Sequence, residues 1–385
     1  MGNKVRVLVA TGTMNAGGAE TLIMEQLRQK SENVEYTMLI HNLGEVVEGV
    51  YDAEIKAMGI PVINIGSVGY LGQKRYIEEF CEVIKNYGPF DVIHSHLNAV
   101  GGVISKAAKR AGIENRIVHC HADITFRGSI FSRIINELKL QIMRMYIDRY
   151  ATDCWACSEA AAKRLFYSTK ISDSVIIPNI IDVSKYLKKS DSKEKAKEKF
   201  GLQDRLVIGA VGRIAGIKNY EFVVDLLDSL KKNEIIADFV CFGRVVDEEY
   251  YNGILKKARQ LGVADQLHFL GNSTDISFDI HCFDIFVMPS HSEGFGMAAI
   301  EAQAAGIPSI VSTGVPNIVD VNAGLIDFIS INNVELWARK IKLLIDNDVK
   351  TENDLIVKCF DKCGFNSVTT AKKIEKKYLE MKSKG

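Results

Sequence analysis

Apolar residues in this chain either alternate over short stretches or recur three and four apart over longer ones, and the two patterns take turns along the sequence. Val5, Val7 and Val9 alternate across 4–11, which predicts a strand, and 21–29 carries helical spacing. A glycine loop, Gly12-Thr-Met-Asn-Ala-Gly-Gly-Ala-Glu20, joins them. Strands are predicted again at 36–41, 62–65, 91–96, 152–157 and 175–177, with helices at 54–58, 74–87, 103–111, 129–150 and 159–166 between them. Such alternation implies a parallel sheet covered by helices on both faces.

A polar, lysine-rich stretch at 185–199 interrupts the pattern, which then restarts. Strands at 206–211, 237–242 and 266–270 alternate with helices at 220–231 and 248–260. A strand ending at Met288, a helix opening near Gly296, a strand from Pro308 and a helix at 334–345 follow. The expectation is an α/β protein of two Rossmann-like domains, 1–184 and 185–364, facing each other across a cleft. A lysine-rich amphipathic helix in 365–385 is expected to return to the first domain.

Composition narrows the classes. The 385 residues are 47% hydrophobic and 25% charged, which excludes disorder and fibre. No apolar run approaches the roughly 20 residues of a membrane span, and Lys4 and Arg6 punctuate the first strand where a secretory signal needs an apolar core. A formal net charge of zero gives nucleic-acid binding no support. The eight cysteines are scattered, several of them in strands, the pattern of reduced thiols in a cytoplasmic protein. Cys154 and Cys157 have redox or zinc spacing, but they lie in an alternating strand without a second pair and read as core.

The candidate chemistry sits at strand ends. Across 287–311, Glu293 lies in a loop with Gly294 and Gly296, and Glu301 lies on the helix that follows. Free N–H groups at such a helix start attract an anion, so the layout suits a phosphate-bearing ligand with hydroxyls on either side. Gly12, Gly17 and Gly18 do not match the dinucleotide spacing, yet their loop can present backbone donors or serve only as a tight turn. His94 and His96 end one strand, and His119 and His121 end the next; with no acidic or cysteine companion at zinc spacing, they read as hydrogen-bonding or core residues. Asp346 and Asp348 resemble a D-x-D metal pair but follow a helix and read as a solvated turn. No metal site is expected. Segment 129–150 mixes Ile, Leu, Phe and Met with Arg133, Lys139, Arg144 and Arg149; such a helix can lie on an anionic membrane, or bury its apolar side and solvate a basic face.

Gly17-Gly-Ala-Glu20, Pro178-Asn-Ile-Ile-Asp182, Gly212-Arg213 with Lys218-Asn219, and Glu293-Gly-Phe-Gly with Glu301 and Ala305-Gly-Ile-Pro308 together resemble the family-4 retaining glycosyltransferases of the GT-B fold. The bacterial exopolysaccharide and capsule transferases are the nearest in flavour. The resemblance implies a metal-independent enzyme that needs no cofactor. It would move a sugar, with retention, from a nucleotide diphosphate sugar, expected to be UDP-linked, to a glycan or lipid-linked acceptor at the cytoplasmic membrane face. It also implies roles. Arg213 and Lys218 resemble the cations on the donor diphosphate, Glu293 the carboxylate facing the donor sugar, and Glu301 the acid on the ribose. Gly294, Phe295 and Gly296 offer backbone N–H groups, Gly17 and Gly18 resemble the loop that closes over the phosphates, and His121 the histidine near the reacting centre. Arg244 departs from the family, which often places a small residue there. A nucleotide-sugar 2-epimerase on the same architecture, or a non-catalytic nucleotide-sugar or glycan-binding module, are the alternatives.

Overall fold

The alternating valines of the first strand divide two layers of core. The structure is a computed structural model that describes residues 4–15, 17–121, 124, 126, 129–347 and 351–384. It separates into two compact units, Met1–Ile181 with Gly364–Gly385, and Asp182–Cys363.

In the first unit, β1 (Val5–Thr11), β2 (Val34–Asn42), β3 (Val62–Gly66), β4 (Val92–Ser95), β5 (Asn115–Cys120), β6 (Asp153–Ala156) and β7 (Val175–Ile176) form a sheet in the order β3-β2-β1-β4-β5-β6-β7. Every pairing in it is parallel. Because successive side chains point to opposite faces, Val5, Val7 and Val9 pack with Leu22 and Leu27 of the helix Gly18–Arg28 and with Ile374 and Tyr378 of the helix Ser367–Lys384. Leu8 and Ala10 pack on the other side with Tyr76, Phe80 and Ile104. The returning segment is stitched in by backbone bonds, Ile181 N to Phe365 O at 2.9 Å and Ser367 N to Ile181 O at 2.8 Å.

In the second unit, β8 (Leu206–Val211), β9 (Ala237–Phe242), β10 (Leu267–Phe269), β11 (Ile285–Met288), β12 (Ser309–Ser312) and β13 (Ile326–Ile329) run in the order β10-β9-β8-β11-β12-β13, again all parallel. Its strands are near-continuous apolar runs because helices cover both faces. The stretch 185–199, which pattern alone gives as a polar connection, is instead a working part of this unit. It contains the helix Ser192–Lys199, and Lys197 is buried with its Nζ 2.7 Å from Asp284 Oδ2 and 2.6 Å from Arg205 O. Lys193 meets the other oxygen of Asp284 at 2.5 Å. A lysine can be buried only when paired, and a single carboxylate far along the chain supplies the partner, which periodicity does not reveal. The strand β13 and the helix Asn353–Cys363 are likewise absent from the pattern-based expectation.

Asp346 lies inside the helix Val334–Asn347 rather than in a turn, while its companion Asp348 lies outside the described residues. Cys154 and Cys157 are free and buried, and burial pushes the Cys154 thiol up to about 12.

Candidate active site

In each sheet the strand order reverses at one place, between β1 and β4 in the first and between β8 and β11 in the second. Loops leaving the carboxyl ends of strands at such a switch point form a crevice where ligands bind. The loop after β8 carries Arg213 and Lys218, and the loop after β11 carries Glu293, Gly294, Phe295 and Gly296, so the fold brings these distant segments together.

The two loops are locked by specific bonds. Lys218 Nζ lies 2.6 Å from Glu293 Oε1, with both side chains largely buried, and Ser290 Oγ donates to the same oxygen at 2.5 Å. The backbone joins in: His291 N donates to Ile217 O at 2.9 Å, and the Asn219 side chain donates to Pro289 O at 3.1 Å. Asn219 itself adopts the left-handed conformation, with φ 56°, which Asn tolerates better than most residues. On the far side, Glu293 N donates to Gly314 O at 3.1 Å. Arg213 is exposed beside this knot, and no hydrogen bond or ion pair of its side chain occurs among the described residues.

The helix Met297–Ala304 opens at Gly296, whose φ of 95° suits glycine alone. No side chain caps it, so its first N–H groups face outward with the positive end of the helix dipole. One turn on, Glu301 is half-buried and accepts a bond from Tyr186 Oη at 3.2 Å. Burial raises its carboxyl above the usual range, and the tyrosine bond opposes that rise.

In the first unit, the glycine loop after β1 meets the Pro178–Asp182 motif. Gly17 is the N-cap of the helix Gly18–Arg28, and a Cβ on Gly18 would sit 3.0 Å from Asn179 Nδ2. Asn179 is buried, and its Oδ1 has no hydrogen-bond partner among the described residues. At the ends of β4 and β5 the four histidines stack together. His96 Nδ1 lies 2.8 Å from His121 Nε2, and the His121 backbone N donates to Asn98 Oδ1 at 2.7 Å. Burial lowers the His121 imidazole to about 3, so it is neutral at any physiological pH.

The helix Ile130–Tyr150 packs through Leu140, Met143 and Ile147 but leaves a second apolar stripe uncovered. Ile130, Phe131, Ile134, Leu138, Ile142 and Met145 are all exposed, and only Leu140 and Ile147 are buried. Arg133 and Lys139 are exposed beside the stripe, whereas Arg144 is used internally, donating to Phe166 O at 2.9 Å. No helix among the described residues is long and apolar enough to cross a membrane.

Ser290, Asn98 and Tyr186 carry no role in the sequence reading, and Asn179 enters it only as part of the Pro178–Asp182 motif. Ser290 stands three residues before Glu293 in the same loop and could have been weighed with it. Tyr186 reaches Glu301 from 115 residues away, and no spacing rule links them.

Comparison with known proteins defines the class first. The first of the solved structures it resembles, that of the Anabaena protein Alr3699/HepE in complex with UDP, superposes with a TM-score of 0.78 over 98% of this chain and 100% of that one, at 17% identity. The fold is therefore GT-B. Residues 192–358 match the model described as "Glycosyl transferases group 1". The putative glycosyltransferase EpsF of Bacillus subtilis is 31% identical over 341 residues, covering 87% of this chain and 86% of that protein. A UDP-Gal:alpha-D-GlcNAc-diphosphoundecaprenol alpha-1,3-galactosyltransferase of Escherichia coli is 28% identical over 347 residues (86% and 85%). The capsular polysaccharide biosynthesis glycosyltransferase CapH of Staphylococcus aureus is 25% identical over 353 residues (89% and 91%). The chain belongs to the group 1 glycosyltransferases.

Proposed function

We propose that this glycosyltransferase moves a sugar, with retention and without a metal, from a UDP-sugar to a glycan or lipid-linked acceptor in the assembly of a surface polysaccharide. The Lys218–Glu293 pair at the switch point, with the exposed Arg213 beside it, is the observation that carries the reading. The bond that breaks joins the anomeric carbon to a phosphate oxygen, so negative charge grows on the departing diphosphate. Cations positioned beforehand stabilise that charge. At about 4 Å and an effective dielectric of about 20, each contributes roughly 4 kcal/mol before desolvation. Two such cations can stand in for a metal ion.

Glu293 has one oxygen held by Lys218 and Ser290, which fixes its carboxylate toward the donor sugar. The uncapped helix start at Gly296 adds backbone donors for the phosphates, and Glu301 accepts from the ribose hydroxyls. His121, neutral and held by His96 and Asn98, acts as a hydrogen-bonding dipole near the reacting centre and not as a charge. Gly17 and Gly18 present backbone to the phosphates.

The donor nucleotide is supported by the E. coli relative named for UDP-Gal, and the lipid-linked acceptor by the same name. CapH supports a place in polysaccharide biosynthesis. The exposed apolar stripe on Ile130–Tyr150, with Arg133 and Lys139 beside it, fits the cytoplasmic face of an anionic membrane, where such an acceptor lies. The test is a thermal-shift screen across nucleotide sugars, followed by transfer assays. A UDP-sugar should raise the melting temperature increasingly as its concentration exceeds its dissociation constant. Consumption of that donor without any acceptor, giving an epimerised nucleotide sugar, would overturn the assignment.

A further inference from the structure

Among the described residues, the histidines at the ends of β4 and β5 are a group of ligand-type side chains that could hold a metal ion. His94, His96 and His119 are buried, and each offers a ring nitrogen such that the three atoms lie within 4.8 Å of one another. His94 Nε2 stands 3.2 Å from His119 Nδ1. In a tetrahedral zinc site with Zn–N bonds of about 2.0–2.1 Å, two ligand atoms are separated by about 3.3 Å. The gap between these nitrogens is therefore the edge of such a site as well as a hydrogen-bond distance.

The surroundings are those of a metal-ligand set. Tyr378 Oη lies 2.6 Å from His94 Nδ1, and an imidazole anchored through one nitrogen turns the other toward a metal. His96 Nδ1 is taken by His121, and its Nε2 is buried without a hydrogen-bond partner among the described residues. Such an orphaned polar atom is costly and calls for an occupant. The rings are packed close and tilted against one another, with centroids 4.1 Å apart for His94 and His96 and 5.2 Å for His96 and His119.

We propose that His94, His96 and His119 form a site for a borderline transition ion, Zn2+ in the first instance, with a fourth position left for water or hydroxide. An all-imidazole set selects against Mg2+ and Ca2+, which need oxygen ligands. The three ligands all lie within the first unit. The site bears on that unit by holding His96, the hydrogen-bond partner of His121.

Full-length protein, stripped with a chelator, is titrated with Zn2+ alone by calorimetry and with Co2+ alone by absorption. One equivalent of Zn2+ should bind, the apparent melting temperature should rise with its concentration, and Co2+ should give ligand-field bands of tetrahedral intensity. Mg2+ should give neither response. His96→Gln and His119→Gln should each abolish uptake, with circular dichroism reporting that the variants fold. Tyr378→Phe, which keeps the ring and removes the anchor, should weaken binding about 10- to 100-fold. No uptake by the wild-type protein, or uptake that persists in both His variants, overturns the site. None of these readouts depends on transfer activity, so the reading of the donor site stands or falls separately.

Discussion

Lys218 Nζ and Glu293 Oε1 lie 2.6 Å apart although 75 residues separate them, and this contact joins the two loops that flank the switch point of the second sheet. The pair predicts a shared fate. Lys218→Ala and Glu293→Ala should each reduce turnover by at least about 100- to 1,000-fold, the range seen when one stabilising group is removed from a transition state. Circular dichroism should stay native in both. Lys218→Arg should also be impaired, because a planar fork does not replace a point charge. Full activity in the alanine variants would contradict the assignment.

Glu301 makes a different prediction. Its role on the ribose concerns binding, so Glu301→Gln should raise KM for the donor more than it lowers kcat. Its raised carboxyl also has a sign. Between the unfolded value near 4.3 and the higher folded value, the native state holds more protons than the unfolded one, so this group's contribution to stability falls as pH rises. Urea midpoints should therefore favour Glu301→Gln over wild type at neutral pH, with the difference vanishing in acid.

His41 gives the opposite slope. It is buried between Thr11 O at 3.0 Å and Tyr76 Oη at 2.8 Å, and burial lowers its imidazole to about 4. Since the unfolded ring titrates near 6.5, the unfolded state takes up the proton first. Stability is fully present above about pH 6.5 and is lost as pH falls toward 4, by roughly 3 kcal/mol for this group. His41→Gln should flatten that part of a urea stability profile against pH.

Gly18→Ala tests the packing between the two signature motifs of the first unit. The added methyl would press on Asn179 Nδ2 at 3.0 Å, and overpacking of this kind costs about 1–3 kcal/mol unless the side chain yields. Thermal unfolding reads the loss.

The stripe on Ile130–Tyr150 predicts sedimentation with anionic vesicles and much weaker sedimentation with neutral ones. Replacing Phe131, Ile134 and Leu138 with serine should abolish it and leave the melting temperature nearly unchanged, because these side chains are already exposed. Equal partitioning of the variant and wild type would remove the membrane from the picture.

Much of this was legible in the sequence where one physical rule governed. Val5, Val7 and Val9 announced β1, and the apolar run Leu206–Val211 announced β8, because buried parallel strands leave no other pattern. Glu293, Gly296 and Glu301 were marked by their shared loop and helix. What stayed hidden came from distance. Nothing near Glu293 names Lys218 as an ion-pair partner, and the burial of Lys197 depends on Asp284, 87 residues away. The face of Ile130–Tyr150 was also undecidable, since helical spacing gives an apolar side without saying what covers it. The histidines were paired correctly within each strand, but only the register of β4 beside β5 brings the pairs into one stack.

The return of the chain at Gly364 carries a consequence for synthesis. Tyr378 and Ile374 complete the core against Val5, Val7 and Val9, yet they are made only after all of Asp182–Cys363. On the ribosome the first unit has only the helix Gly18–Arg28 to cover this face while the second unit emerges, and its core stays incomplete until the last segment arrives. Chains halted at Cys363 should therefore be cut by protease in the first unit more readily than the finished protein.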